Sequence, residues 1–396
     1  MALKKVRANL TTITNIQPHK YRRSMARNKL DPNRTGILAK IHLDGPLLLA
    51  LFALMAIGLV TIYSAGGQDI ALVKKQMIRL GVAFVAMIIV AQIPPLAYRR
   101  LSIYFYAVGV LLLIAVLVIG VTGKGAQRWL DLGFFRFQPS EVMKLAVPMM
   151  VAWYISRYTL PPKTHRVAIA FTIVIIPTLL IARQPDLGTS LLIASSGVFA
   201  IFLAGLRWKL MSFLALFGSA FAPVLWIFLM KDYQKQRVLT FLNPESDPLG
   251  SGYHIIQSKI AIGSGGLEGK GWLQGTQSQL EFLPERHTDF IFSVFSEEFG
   301  FIGVVVLLLL YGFIVVRGMI IATRAQEAYS KLLAGSITLT FFVYVFVNMG
   351  MVSGILPVVG VPLPLVSYGG TSMVTILTGF GILMAIATQK RFLSRE

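Results

Sequence analysis

The stretch LPERHTDFIFSVFSEEFGFIGVVVLLLLYGFIVVRG, Leu283 to Gly318, holds the two features on which the reading of this chain turns. Its second half carries no charged residue from Phe299 to Val316, and an apolar run of roughly 20 residues matches the hydrocarbon thickness of a bilayer. Its first half sets Glu285, Arg286, His287 and Asp289 against the flank of that run. Charge beside lipid needs a functional or structural reason.

Comparable runs recur on both sides. With 55% hydrophobic and 14% charged residues and a mean hydropathy of +0.70, the composition predicts an all-α polytopic membrane protein, because lipid obliges each span to satisfy its own backbone. About ten transmembrane helices are expected, centred near Leu54, Ala86, Leu112, Val147, Val174, Ser196, Ala220, Leu308, Phe342 and Thr378. The expected division is a basic, disordered cytoplasmic tail at 1–43 and a single integral-membrane domain at 44–396. A large extracytoplasmic loop at 231–299, between helices 7 and 8, is expected to carry the active site.

The net charge of +20 would suggest nucleic acid in a soluble protein, but topology accounts for it here. Lys4, Lys5, Arg7, Lys20, Arg22, Arg23, Arg27 and Lys29 crowd the N-terminal tail, and Lys390, Arg391 and Arg395 follow the last span. Both termini are therefore read as cytoplasmic. The first 45 residues are too basic for a signal peptide, so no cleavage is expected. The chain has no cysteine, which rules out disulfides and thiol catalysis. Its histidines lack metal-ligand spacing. GSGGLEGKG is no nucleotide loop, since Ser264 and Gly271 stand where a P-loop needs glycine and a hydroxyl. HIIQSKIAI, His254 to Ile262, suits a short interfacial helix.

In ILPVVGVPLPLVSYGGTS, Ile355 to Ser372, Pro357, Pro362 and Pro364 exclude an uninterrupted helix. The expected form is a re-entrant segment bordering a cavity before helix 10; a plain extracellular loop is the alternative. Lys124, Arg128, Arg136, Lys144 and Arg183 fall at the outer face against the positive-inside trend. Lys144 follows Glu141 by one helical turn, so the two are placed to pair inside the bundle. Alternatively, these cations form a pocket for a diphosphate, extended by Lys74, Lys75 and Arg79 unless those simply snorkel. Arg183 and Asp186 flank a helix break and are expected to pair. Trp129 is read as a membrane-interface anchor or, beside Arg128, as a platform for a sugar ring. Asp289, next to His287 and flanked by Phe290 and Phe292, is read as a base near an apolar wall or as the cap of a helix start.

Together KGAQRWLDLG, FQPSEVMKLAVP, QPDLGTS, NPESDPLGSGYHIIQSKIAIGSGG, FLPERHTDFIFSVFSEE and GILPVVGVPLPLVSYGG resemble the SEDS family (shape, elongation, division and sporulation). They are closer to its elongation members from Gram-negative bacteria than to the division paralogue. The resemblance covers nearly all of the chain after Leu43. It implies a peptidoglycan glycosyltransferase that polymerises lipid II outside the bacterial cytoplasmic (inner) membrane. A class B penicillin-binding protein as transpeptidase and the elongation-machinery proteins would be its partners. It implies that Asp289 is the essential carboxylate and that Trp129, Glu141 and Lys144 are functional positions. Inverting attack on a diphosphate-linked sugar would use Asp289 as base, with Lys74, Lys75, Arg128, Lys144, Arg183 and Arg286 as candidates to meet the leaving group and His287 beside them. No cofactor is required, though a divalent cation (Mg or Mn) is compatible. The rival readings are a lipid-linked precursor flippase or transporter, and a non-catalytic scaffold for a transpeptidase.

Overall fold

The computed structural model describes residues 41–388 other than 124–125, 132, 134–135, 207–210, 213–215, 217–219, 221–222, 224–225, 228–229, 231, 247–249 and 280–284. The tail before residue 41, Lys124, the residues after 388 and most of the span expected near Ala220 lie outside that set.

The chain is mostly helical. Helices α1 (Gly45–Ala65), α2 (Ile70–Ala91) and α3 (Pro95–Ile119) lead into strands β1 (Val121–Gly123), β2 (Ala126–Asp131) and β3 (Arg136–Phe137). Helices α4 (Pro139–Ser156), α5 (Thr164–Arg183) and α6 (Leu187–Leu203) follow, then the shorter α7 (Asp232–Leu242), α8 (Ser251–Ser264) and α9 (Thr276–Gln279). The chain closes with α10 (Ile291–Arg324), α11 (Ala328–Val352) and α12 (Thr371–Thr388). Among the described residues, α1, α3, α5, α10, α11 and α12 are long and apolar enough to cross a membrane. Helix α8 carries the HIIQSKIAI stretch, as its apolar spacing predicts.

Local chemistry sets the helix starts. The carboxylates of Asp44, Asp69 and Asp186 accept from the amides of Leu47, Ala71 and Thr189 at 3.1, 2.7 and 3.2 Å, relieving donors that a first turn leaves unpaired. Proline stands in the first turn of α1, α3 and α4, where its missing N–H is no loss. Helix α12 packs on α2, α10 on α11, α3 on α4 and α11 on α6, around buried Leu47, Leu54, Met143, Ile193 and Leu383.

The all-α expectation needs one correction. Between α3 and α4 the chain forms a small antiparallel sheet, ordered β1-β2-β3, pairing Val121 with Trp129 and Leu130 with Phe137. This stretch leaves the bundle without a helix start signal, so its backbone finds partners across strands. Asp131 bends the chain there by accepting from Gly133 N at 2.9 Å.

Two departures from helix shape the site. Gly300 breaks α10 with φ 62° and ψ −164°, and the glycine-rich loop after α8 closes on the break. Lys270 N and Gly271 N donate to Glu297 O and Glu298 O at 3.0 Å each, while Phe301 N and Ile302 N donate to Gly266 O and Leu267 O at 2.9 and 3.1 Å. The second departure is residues 353–370, a non-helical segment whose Val361, Leu363, Leu365, Val366 and Ser367 are buried. It runs beside the middle of α1 and α10: Tyr311 OH donates to Pro364 O at 2.7 Å, and a Cβ on Gly58 would stand 2.7 Å from Leu365 O.

Gly58→Ala is accordingly expected to destabilise the protein by about 1–3 kcal/mol, the usual range for overpacking. Gly81→Ala, where a Cβ meets nothing within 4 Å, should leave the unfolding midpoint in detergent unchanged or raised.

Candidate functional site

Asp289 sits near the end of a turn, residues 285–290, that feeds α10. Glu285 opens the turn with a left-handed backbone, φ 50°, and Thr288 Oγ1 donates to its carboxylate at 2.7 Å. The N-cap of α10 is Phe290, without a side-chain capping bond, so the capping reading of Asp289 does not hold. Its Oδ2 faces Gly360, where a Cβ would stand 3.4 Å away. Gly360 has φ 72°, a backbone conformation that favours glycine opposite the carboxylate.

The turn is held through its peptide groups. Tyr368 N donates to His287 O at 2.8 Å, Ser367 Oγ to Thr288 O at 2.6 Å, and Asn348 Nδ2 to Asp289 O at 2.9 Å. Three successive carbonyls are thereby fixed, and Asn348 also binds Val361 O at 2.7 Å, joining the turn to the 353–370 segment. The rings of His287 and Tyr368 meet edge to face at 5.7 Å. Arg79 stacks over Tyr368 at 4.5 Å rather than snorkelling, an attraction of cation for ring face. Arg286 lies beside the α1–α2 turn, its Nη2 3.9 Å from where a Gly67 Cβ would stand.

The other expected site residues fall in separate groups. Lys74 and Lys75 are exposed on the first turns of α2, and Arg183 is exposed at the end of α5. The expected Arg183–Asp186 pair is not formed. Asp186 turns inward to cap α6, and the cation that reaches it is Arg128, at 3.5 Å, which also donates to Pro185 O at 2.6 Å. Trp129 is half-buried on β2. The α6 corner then touches the same segment as Asp289, for a Cβ on Gly188 would lie 2.8 Å from Val359 O, one residue before Gly360.

Glu141 and Lys144 do pair, at 2.7 Å, with the residues 8% and 9% exposed. Nζ of Lys144 also lies 5.3 Å from the Tyr344 ring. Glu141 Oε2 has no hydrogen-bond partner among the described residues, and Glu141 lines a cavity of about 400 Å³ between α3, α4 and α12. Its walls include Leu101, Phe105, Val142, Met149 and Ile382, and Arg136, Gln138 and Thr371 supply its polar end. Among the described residues, no three of His, Asp and Glu stand together as a metal site would need.

A model of the FtsW/RodA/SpoVE cell cycle proteins matches residues 45–392. The chain belongs to this family. It is 55% identical over 366 residues to the peptidoglycan glycosyltransferase MrdB of Escherichia coli K12, covering 92% of this chain and 99% of that protein. Identity to a probable peptidoglycan glycosyltransferase FtsW of Escherichia coli O6:H1 is 37% over 364 residues, 89% of this chain and 87% of the relative. The fold matches a chain solved in work on a peptidoglycan synthase complex coordinating polymerization and crosslinking, with TM-score 0.76, 33% identity and coverage of 87% and 97%. It also matches the rod shape determining protein RodA of Thermus thermophilus, with TM-score 0.66, 29% identity and coverage of 87% and 96%. Family membership places the chain among multi-pass proteins of the inner membrane.

Asn348, Ser367 and Tyr368 carry no charge, and charge patterning in the sequence does not point to them. The available signal is weaker: a lone amide in a mostly apolar stretch, as with Asn348 in FVYVFVNMGMV, needs a buried partner.

Lys144→Met strands the buried Glu141 carboxylate and is expected to lower stability by about 3–5 kcal/mol. Glu141→Gln/Lys144→Met removes both charges and should recover most of that loss. Thermal unfolding of the three proteins in detergent gives the comparison.

Proposed function

We propose that this chain, a peptidoglycan glycosyltransferase of the family to which MrdB belongs, polymerises lipid II into β-1,4-linked glycan strands for cell elongation. The observation that carries the reading is the Asp289 carboxylate, presented from a turn with three successive carbonyls already bonded and which abuts the partly buried 353–370 segment. A group so held needs little reorganisation during reaction.

In this reading the growing strand, carried on undecaprenyl diphosphate, offers its anomeric carbon to the 4-hydroxyl of the next lipid II. Asp289 takes the hydroxyl proton, the new C–O bond forms on the face opposite the diphosphate, and the bond to the diphosphate breaks, inverting the centre. Exposed Lys74, Lys75 and Arg183, together with Arg286, are assigned to the diphosphate charge. Arg128 and Lys144, already bonded to Asp186 and Glu141, are assigned to holding the scaffold, and Trp129 and His287 to sugar contacts. The cavity between α3, α4 and α12 suits a polyprenyl chain, with Arg136, Gln138 and Glu141 at its head. A divalent cation, if used, would come with the diphosphate.

The reading includes ten spans, cytoplasmic termini, an outward-facing 231–299 loop, a re-entrant 353–370 segment and a cytoplasmic tail at 1–43. It also includes a class B penicillin-binding protein as the transpeptidase partner, within the elongation machinery. Similarity to a chain of a peptidoglycan synthase complex supports that partner.

Purified protein with its class B partner should convert labelled lipid II into a glycan ladder on a gel, and Asp289→Asn should slow this by at least about 100-fold. An Asn variant as fast as wild type would remove Asp289 from the role of base. No ladder from intact, partner-bound wild type would overturn the polymerase reading itself.

A further inference from the structure

The side chain of Gln76 is wholly buried, 0% exposed, on a helix whose neighbouring polar positions are cations. Nothing in the proposed chemistry uses it. A primary amide removed from both water and lipid has to be bonded within the protein, and the partners of this one are specific. Nε2 donates to Ser367 O at 3.3 Å and to Met373 Sδ at 3.0 Å, and Oε1 accepts from Gly369 N at 3.4 Å. Gln76 therefore spans the Ser367–Gly369 turn, bonding the peptide groups on either side of Tyr368.

That turn is the one that holds the Asp289 turn. Tyr368 N binds His287 O, and Ser367 Oγ binds Thr288 O while also accepting from Leu363 N at 2.7 Å. Arg79, one helical turn after Gln76 on the same face of α2, lies over the Tyr368 ring, which in turn meets His287. One face of α2 thus grips the turn twice, through its backbone by Gln76 and through its ring by Arg79.

We infer that Gln76 is a positioning residue for the reaction, acting from α2 through Ser367–Gly369 to set the backbone of His287–Asp289 and so the aim of the Asp289 carboxylate. The inference rests on the reading of Asp289 given above. Gln76 is wholly buried and bonded within the protein, so its loss should appear in turnover and in the order of the turn, with lipid II binding spared.

Gln76→Met keeps the volume and removes both bonds to the turn. In partner-bound protein, kcat for lipid II polymerisation is expected to fall about 10-fold with KM changed less than about twofold. Hydrogen exchange, which needs no activity, should show the amides of Thr288, Phe290 and Tyr368 exchanging roughly fivefold faster, with α11 unchanged. Because Ser367→Ala cuts part of the same path and leaves Tyr368 N on His287 O, the double variant should lose less activity than the product of the two single losses. Gln76→Asn, too short to reach both sides of the turn, carries the same expectations if Gln76→Met does not insert. Unchanged exchange at the turn, a loss confined to KM, or fully multiplicative losses in the double variant would each overturn the inference. Inactive wild type with faster exchange in Gln76→Met would keep the clasp and discard the polymerase.

Discussion

Within the non-helical stretch 353–370, residues 361–367 lie largely buried in an apolar bundle, and their backbone polar groups need partners that hydrocarbon does not offer. Polar side chains from three helices answer that need. Tyr311 reaches across from α10 to Pro364 O, Asn348 from α11 to Val361 O, and Gln76 from α2 to Ser367 O and Gly369 N. The segment's own Ser367 hydroxyl and Tyr368 amide are then directed to the Asp289 turn. A stretch that needed support has become the frame on which an acidic turn is mounted, and helices far apart in sequence converge because each supplies part of the support.

Charge divides into two kinds in this protein. Glu141 with Lys144, Asp186 with Arg128, and Glu297 with Lys270 at 2.7 Å are committed to one another, and breaking any one would leave a poorly solvated ion. Lys74, Lys75 and Arg183 lie exposed instead. A membrane protein that handles a diphosphate needs both kinds, since a cation already neutralised by a neighbour meets new charge weakly. Burial, more than residue type, separates them.

Much of this was legible in the sequence. Uncharged runs marked the helices at Leu54, Leu112, Val174, Leu308, Phe342 and Thr378, all of which fall on helices long and apolar enough to cross a membrane. The three prolines between Ile355 and Ser372 marked the non-helical segment, and the spacing of Glu141 and Lys144 marked their pair. The sheet at 121–137 was not legible, because pairing across strands depends on where the chain re-enters and leaves little periodic trace in strands as short as β1 and β3. Nor was the choice of Arg128 over Arg183 for Asp186, since sequence proximity says little about which way a capping carboxylate must face. The amides of Gln76 and Asn348 carry no charge, and a search for chemistry passes over them although their burial gives them fixed partners.

The loop that closes on Gly300 carries a consequence for how this protein tolerates change. Residues 266–271 act as a splice, lending carbonyls to Phe301 and Ile302 and amides to Glu297 and Glu298 on either side of the break. Gly266, Gly269 and Gly271 all have left-handed backbones, with φ of 55°, 82° and 99°. A run of glycines usually signals slack in a chain, yet here the bonds at both ends of the splice fix its length to the residue. Insertions and tags belong elsewhere in the chain, because one added residue between Gly266 and Gly271 would put the two pairs of bonds out of step.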